Sequence, residues 1–197
     1  MATKRTDVPF SRIEHGEFAN SRTVFEGIDE LADSIRENGL LQPLLVWHKR
    51  CATKEIEVDG KVCKVSDRYI LVAGERRYRA IKRIRKSHPD AFDSVACSLV
   101  EGNEADALAA QLVENLQRQD MKPGEVADGI DRMAKLGLSQ AKIAKKLGKS
   151  QAWVSRIAAF HSQASEPLRE ATATGAIPFT VAAELAALPE AAQRVEV

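Results

Sequence analysis

A glycine followed by a cluster of arginines dominates the middle of the chain. After Gly74 come Arg76, Arg77, Arg79, Lys82, Arg83, Arg85 and Lys86, and the only acid in that stretch is Glu75. If a helix begins at this glycine, its first turn offers unpaired backbone N–H groups and a partial positive charge, and arginines there add bidentate donors. That combination suits phosphate. Glu75 could orient a nucleophilic water, hold a metal or pair with the neighbouring arginines. The competing reading is a solvated basic face, the usual fate of a charge run. Glu114 and Asn115 form a second candidate, because adjacent oxygen donors suit a hard cation such as Mg²⁺ that also carries phosphates and waters. Two such side chains on a helix are more often simply solvated.

A third pattern runs from Leu138 to Phe160. Ser139 can cap a helix holding Ile143, Ala144 and Leu147, Gly148 makes a turn, and Ser150 can cap a second helix holding Trp153, Val154 and Ile157. The spacing is that of a helix-turn-helix over 139–160, in which the small Ala144 admits the second helix and Val154 locks it in place. Lys149, Ser150, Gln151, Ala152, Ser155 and Arg156 then lie on the outward side. Gln and Arg there can read base edges, and lysines can hold phosphates. An αα-hairpin in a plain helical domain is the alternative.

The elements that must position these groups follow in chain order. Val8, Pro9, Phe10 and Ile13 suggest a short strand within an otherwise polar arm, residues 1–22. From Phe25, the positions Ile28, Leu31, Ala32 and Ile35 fall at helical spacing, and Asn38-Gly39 supplies a stop. Leu44 to Trp47 reads as a buried strand after Gln42-Pro43. Asp59-Gly60, flanked by Lys54–Val58 and Lys61–Val65, is a two-residue hairpin signal whose blander reading is a decorated surface loop. Tyr69 to Ala73 is a strand that runs into the basic helix, where Tyr78, Ile81 and Ile84 make one inward stripe. Val95 to Val100 is a further strand, and Glu104 to Gln117 a helix with Ala107, Leu108, Leu112 and Leu116 on its apolar side. Pro123 opens a helix through Val126, Ile130 and Met133 to Gly137. Glu166 to Leu188 adds two short packing helices split by Gly175 and Pro178.

A chain of 197 residues, 44% hydrophobic and 29% charged, has an ordinary globular composition for one or two domains. The net charge of +1 conceals segregation, because Arg132, Lys135, Lys142, Lys145, Lys146, Lys149 and Arg156 occupy a stretch without acids. Cys51, Cys63 and Cys97 are an odd set with no paired spacing, which argues against a disulfide framework or a zinc site and for a reducing compartment. No segment approaches the roughly 18 apolar residues of a membrane span. The expected location is cytoplasmic.

Taken together, these pieces resemble the ParB family, the DNA-binding proteins of chromosome and plasmid partition. The resemblance runs from about Arg5 to Pro189 and rests on four ordered blocks. Asn20-Ser21-Arg22 with GLLQPLLV from Gly39 to Val46 is similar to the first family box, and GERRYRA from Gly74 to Ala80 to the second. ENLQRQDMKPGEVA from Glu114 to Ala127 is similar to the third, and the helix-turn-helix follows. The resemblance implies an α+β chain, with a ParB/sulfiredoxin-like α/β nucleotide-binding domain over 23–118 and an all-α helix-turn-helix DNA-binding domain over 119–197. It implies CTP with Mg²⁺ as ligand, Gly74, Glu75, Arg76, Arg77, Arg79, Glu114 and Asn115 as its contacts, and Glu114 and Asn115 as metal ligands. Gln42 and Glu75 would assist a slow hydrolysis of CTP to CDP and phosphate. The implied partners are a palindromic, centromere-like site in double-stranded DNA and a ParA-type ATPase. N-terminal domains would associate with one another in the presence of CTP, closing a sliding clamp on nucleoid or plasmid DNA. Spacing alone speaks only of phosphate; the choice of cytidine comes from the resemblance.

The departures are specific. Ser21 stands where the family usually has Pro, and the hairpin around Asp59-Gly60 is longer than usual, which points toward a plasmid or mobile-element origin. The family's C-terminal dimerisation domain has no counterpart within these residues. A KorB-type transcriptional repressor shares the same architecture and is the alternative function. A sulfiredoxin-like ATP-dependent reductase would need a cysteine at Gly74 to Arg79, which has none. A two-metal nuclease would need a carboxylate cluster beyond Glu75 and Glu114.

Overall fold

The computed structural model describes residues 4–16, 18, 26–58, 61–117, 123–189 and 192–193. Asn20, Ser21, Arg22, Phe25, the Asp59-Gly60 turn and residues 118–122 lie outside them. The chain divides into two compact units, Met1–Ala107 and Leu108–Val197. The division lies within the helix α3 (Glu104–Leu116), where the sequence reading puts the domain boundary at 118.

The first unit is built on a mixed five-stranded sheet. Its strands are β1 (Lys4–Pro9), β2 (Ile13–Glu14), β3 (Leu44–Val58), β4 (Lys61–Ala73) and β5 (Ser94–Val100), in the order β1-β5-β3-β4-β2. β1 runs antiparallel to β5 and β3 antiparallel to β4, while β3 pairs parallel with β5 and β2 parallel with β4. The start of the chain is therefore no separate arm. Lys4–Pro9 is an edge strand whose alternation buries Val8, with Lys4, Arg5 and Asp7 as the charges that discourage further pairing at such an edge. Leu44–Val58 and Lys61–Ala73 form one long hairpin, paired as far as Val58 opposite Lys61. A register irregularity between Arg50 and Lys54 separates its outer part from the sheet.

Two helices, α1 (Ile28–Asn38) and α2 (Glu75–Ser87), complete the unit's core. Ala32 and Ile35 of α1 and Ala80, Ile81 and Ile84 of α2 pack with Leu44, Val46, Leu71, Val95, Cys97 and Leu99 of the strands. Full burial of side chains such as Ile81 and Leu44 contributes roughly 2 kcal/mol each. The Arg83–Asp29 ion pair between the same helices, at 2.9 Å and well exposed, is worth under about 1 kcal/mol. The apolar stripe holds the helices in place, and the ion pair adds little. Cys97 lies in this core, where burial pushes its thiol up to about 12 and makes it inert.

The second unit is helical: the end of α3, then α4 (Pro123–Lys135), α5 (Gln140–Leu147), α6 (Gln151–Gln163), α7 (Glu166–Thr174) and α8 (Phe179–Leu185). Gly129 on α4 permits a close approach to α3, since a Cβ there would lie 2.6 Å from Leu112. The buried Gln193 binds the far end of the unit together. Its amide N–H groups donate to the Gln163 and Leu188 carbonyls, and its carbonyl accepts from the Ser165 N–H.

Candidate functional site

Strand β4 ends at Ala73 and α2 begins at Glu75, with Gly74 between them at φ +97°. A register irregularity at the Leu45/Val46 pairing with β4 lies just before this turn and redirects the chain. Gly74 is required twice over. Its φ disfavours any L side chain, and a Cβ would lie 3.0 Å from Leu44 Cδ2 and 3.2 Å from Arg77 Nη2. Having no side chain, it gives α2 no side-chain cap. The N–H groups of a helix's first turn are ones the helix itself does not satisfy.

The arginines around this turn are held by the chain itself. Arg77 Nη1 donates to the Gln42 carbonyl at 2.9 Å and the Pro43 carbonyl at 2.6 Å, which ties the α1–β3 loop to the start of α2. Arg76 Nη2 donates to the Glu26 carbonyl at 3.1 Å, beside Gly27. Arg79 Nε donates to Glu75 Oε1 at 2.6 Å. The outer bases do likewise, with Arg83 on Asp29 and Arg85 on both Asp93 and the Ala91 carbonyl. A freely solvated basic face is not what the stretch forms.

Glu75 is the buried acid of this group, its side chain only 10% exposed. Its second oxygen, Oε2, lies 2.6 Å from His15 Nε2, so both carboxylate oxygens are engaged. The His15 ring is stacked on Tyr78 at 5.5 Å, and Tyr78 on Phe10 at 4.9 Å. Burial, with the Glu75 charge beside it, pushes the Tyr78 hydroxyl above the ordinary tyrosine value. Nothing local in the sequence marked His15. It follows a two-residue strand and meets a partner 60 positions away.

Of the expected nucleotide contacts, the structure brings Gly74, Glu75, Arg76, Arg77 and Arg79 together around one helix start, with the backbone of Gln42, the expected hydrolysis residue, tied to it by Arg77. Glu114 and Asn115 belong to the second unit, half-buried on α3. Among the described residues no group of three or more His, Cys, Asp or Glu could hold a metal. No helix among them is long and apolar enough to cross a membrane.

The other candidate surface is the α5–turn–α6 pair. Ser139 caps α5 through the Lys142 N–H, Gly148 ends it at φ +65°, and Ser150 Oγ accepts from the Trp153 N–H at 3.1 Å. Ile143, Ala144 and Leu147 of α5 and Val154, Ile157 and Phe160 of α6 are buried, which leaves Gln151, Ala152, Ser155 and Arg156 exposed. Lys149 and Ser150 are exposed in the turn, the Lys149 ammonium lying over the Trp153 ring at 5.6 Å. The acid-free stretch is not wholly without acids in space, since Lys135 is paired to Asp131 and His161 to Asp128. Lys142, Lys145 and Arg156 are exposed.

A family model for the ParB N-terminal domain matches residues 2–116. The chain belongs to the ParB family. Among its relatives, the chromosome-partitioning protein Spo0J of Thermus thermophilus is 40% identical over 129 residues, 66% of this chain and 40% of that protein. A protein of Halalkalibacterium halodurans named nucleoid occlusion protein is 31% identical over 154 residues, 76% of this chain and 46% of that protein. The chain spans about half or less of the length of such relatives. Among solved structures, a C-terminally truncated chromosome-partitioning protein ParB from Caulobacter crescentus, crystallised with the centromeric parS site, aligns with a TM-score of 0.58 at 24% identity. That alignment covers 94% of this chain and 86% of that one, and shows a shared fold.

Proposed function

We propose that this chain is the nucleotide-binding and DNA-reading part of a partition protein, taking CTP at the start of α2 and a palindromic DNA site on α6. The uncapped first turn of α2 carries the reading. Gly74 gives it no side-chain cap, while the loop opposite, bearing Gln42, is fastened to it by Arg77. Such a turn receives phosphate oxygens, with Arg76, Arg77 and Arg79 supplying charge-assisted donors around them. The preference for cytidine rests on the likeness of Gly74 to Ala80 to the family's second box.

Mg²⁺ would come as a companion of the nucleotide, and the family likeness assigns it to Glu114 and Asn115 on α3. Two such oxygens suffice for an ion that completes its octahedron with phosphate oxygens and waters rather than with a protein cage. Bound, it would neutralise charge on the phosphates. Gln42, whose carbonyl Arg77 ties to the helix start, would orient a water, whereas Glu75 has both oxygens engaged by Arg79 and His15. On the helical unit, Gln151 and Arg156 would read base edges from the start of α6, with Lys149, Ser150, Ala152 and Ser155 at its margin and lysines on the backbone phosphates. CTP-dependent association of two N-terminal units, a ParA-type ATPase partner and residence on nucleoid or plasmid DNA belong to the same proposal. The partition reading is supported by the relatives' names, and the nucleoid occlusion relative keeps a second DNA-bound role in view. A KorB-type repressor would differ in having its operators in promoters.

The test is calorimetry with CTP, ATP, GTP and UTP in Mg²⁺, repeated with DNA fragments enriched by this protein. Selective CTP binding is the expected outcome. DNA binding without affinity for any nucleotide would reduce the chain to a DNA reader on this scaffold.

A further inference from the structure

We propose that His15 is a positioning residue of the nucleotide site, holding the Glu75 carboxylate against Arg79 so that the first turn of α2 keeps its geometry. This rests on the reading of that turn as the phosphate site. Glu75 is the first residue of α2, and its two oxygens accept from different parts of the chain, Oε1 from Arg79 one turn on and Oε2 from His15 after β2. A carboxylate so held acts as a strut between the sheet's edge and the helix start. Because an ionised carboxylate only accepts hydrogen bonds, His15 Nε2 must carry the hydrogen. The ring is kept in the required plane by its stack on Tyr78, at an interplanar angle of 7°, and Tyr78 in turn stacks on the buried Phe10. Freed from His15, Glu75 could swing toward the incoming phosphates, where its charge would repel them.

Two substitutions separate the ring from its N–H. His15→Phe keeps a flat ring for Tyr78 and loses the donor, whereas His15→Gln loses the ring and keeps an amide N–H that can reach Glu75. CTP affinity in Mg²⁺, measured on the full chain, should fall about tenfold in His15→Phe and stay within about threefold of the parent in His15→Gln, as expected for one charge-assisted hydrogen bond. In the unsubstituted chain, nitrogen NMR should show the His15 ring protonated at Nε2. Wild-type affinity in His15→Phe, equal loss in both variants, or a ring protonated only at Nδ1 would each overturn the proposal. If the unsubstituted chain bound no nucleotide, the phosphate-site reading itself would fail and this one with it.

Discussion

Two helix starts in this molecule are both basic, yet they are constructed in opposite ways. α2 begins at a glycine with no side-chain cap, and its arginines fold back onto the Glu26, Gln42 and Pro43 carbonyls and onto Glu75. α6 begins at Ser150, whose hydroxyl satisfies the Trp153 N–H, and Gln151, Ala152, Ser155 and Arg156 stand exposed. A helix start with uncapped amides and arginines fixed around it suits a small anion that must fit one place. A self-capped start with free side chains suits a long partner whose identity is read by side chains. On the proposed function the same charge would serve two kinds of recognition, and the difference lies in how each start is capped.

The largest effects should come from exchanging damage between the two starts. Arg77→Ala removes the tie between the Gln42 loop and α2 and, on the proposed function, a phosphate donor, and should weaken CTP binding by about a hundredfold or more while DNA affinity stays within about threefold. Arg156→Ala should do the reverse, weakening DNA binding by roughly ten- to a hundredfold at a fixed salt concentration and leaving CTP affinity unchanged. Titrations of both ligands against both variants decide the matter. Joint loss of both activities in either variant would break the division of labour.

Much of this contrast was legible in the sequence, for a physical reason. Each start is a local event, with a strand, a glycine and an amphipathic helix for α2, and two Ser caps about a Gly148 turn for α5 and α6. Periodicity and capping residues report local events, and the buried Ile81, Ile84, Val154 and Ile157 confirm the faces they implied. What escaped was made by distant pairing. Lys4–Pro9 carries one buried apolar residue among charges and becomes a strand only because Ser94–Leu99 lies beside it. The Arg77 bonds go to carbonyls, which leave no trace in residue type. The residues of the first family block, Asn20 to Arg22, lie outside the described part of the chain.

Gly74→Ala sharpens the comparison at the next level. A side chain at φ +97°, in contact with Leu44 and Arg77, should destabilise the first unit by about 1–3 kcal/mol and blunt CTP binding. The two tryptophans separate the readouts, since Trp47 belongs to the first unit and Trp153 to the second. Single-tryptophan variants followed through urea unfolding should show the loss at Trp47 alone. Ser150→Ala is the counterpart, costing about 1 kcal/mol of cap energy seen at Trp153 alone. A loss at Trp153 in Gly74→Ala would mean that the helix starts are not independently built.

The smallest effect separates ionic fastening from neutral capping. Glu14, next to His15, accepts both N–H groups offered by Arg68. That hydrogen bonding holds the Glu14 carboxyl below the ordinary glutamate range, against an opposing push from burial. A depressed folded value gives stability that is fully present above the unfolded value and disappears as pH falls through the folded one. With the Arg68 and Glu14 side chains 36% and 43% exposed, solvent screening keeps the contribution below about 1 kcal/mol. Glu14→Gln should therefore lower first-unit stability slightly at about pH 7, and the difference from the parent should be gone at a pH below the folded Glu14 value. The Ser150 hydroxyl carries no charge over that range, so the Ser150→Ala deficit should be the same at both. A Glu14 effect that persisted in acid would show that shape, not charge, fastens β2 beside the α2 site. A cap deficit that shrank in acid would show that α6, too, depends on a charge its hydroxyl does not carry.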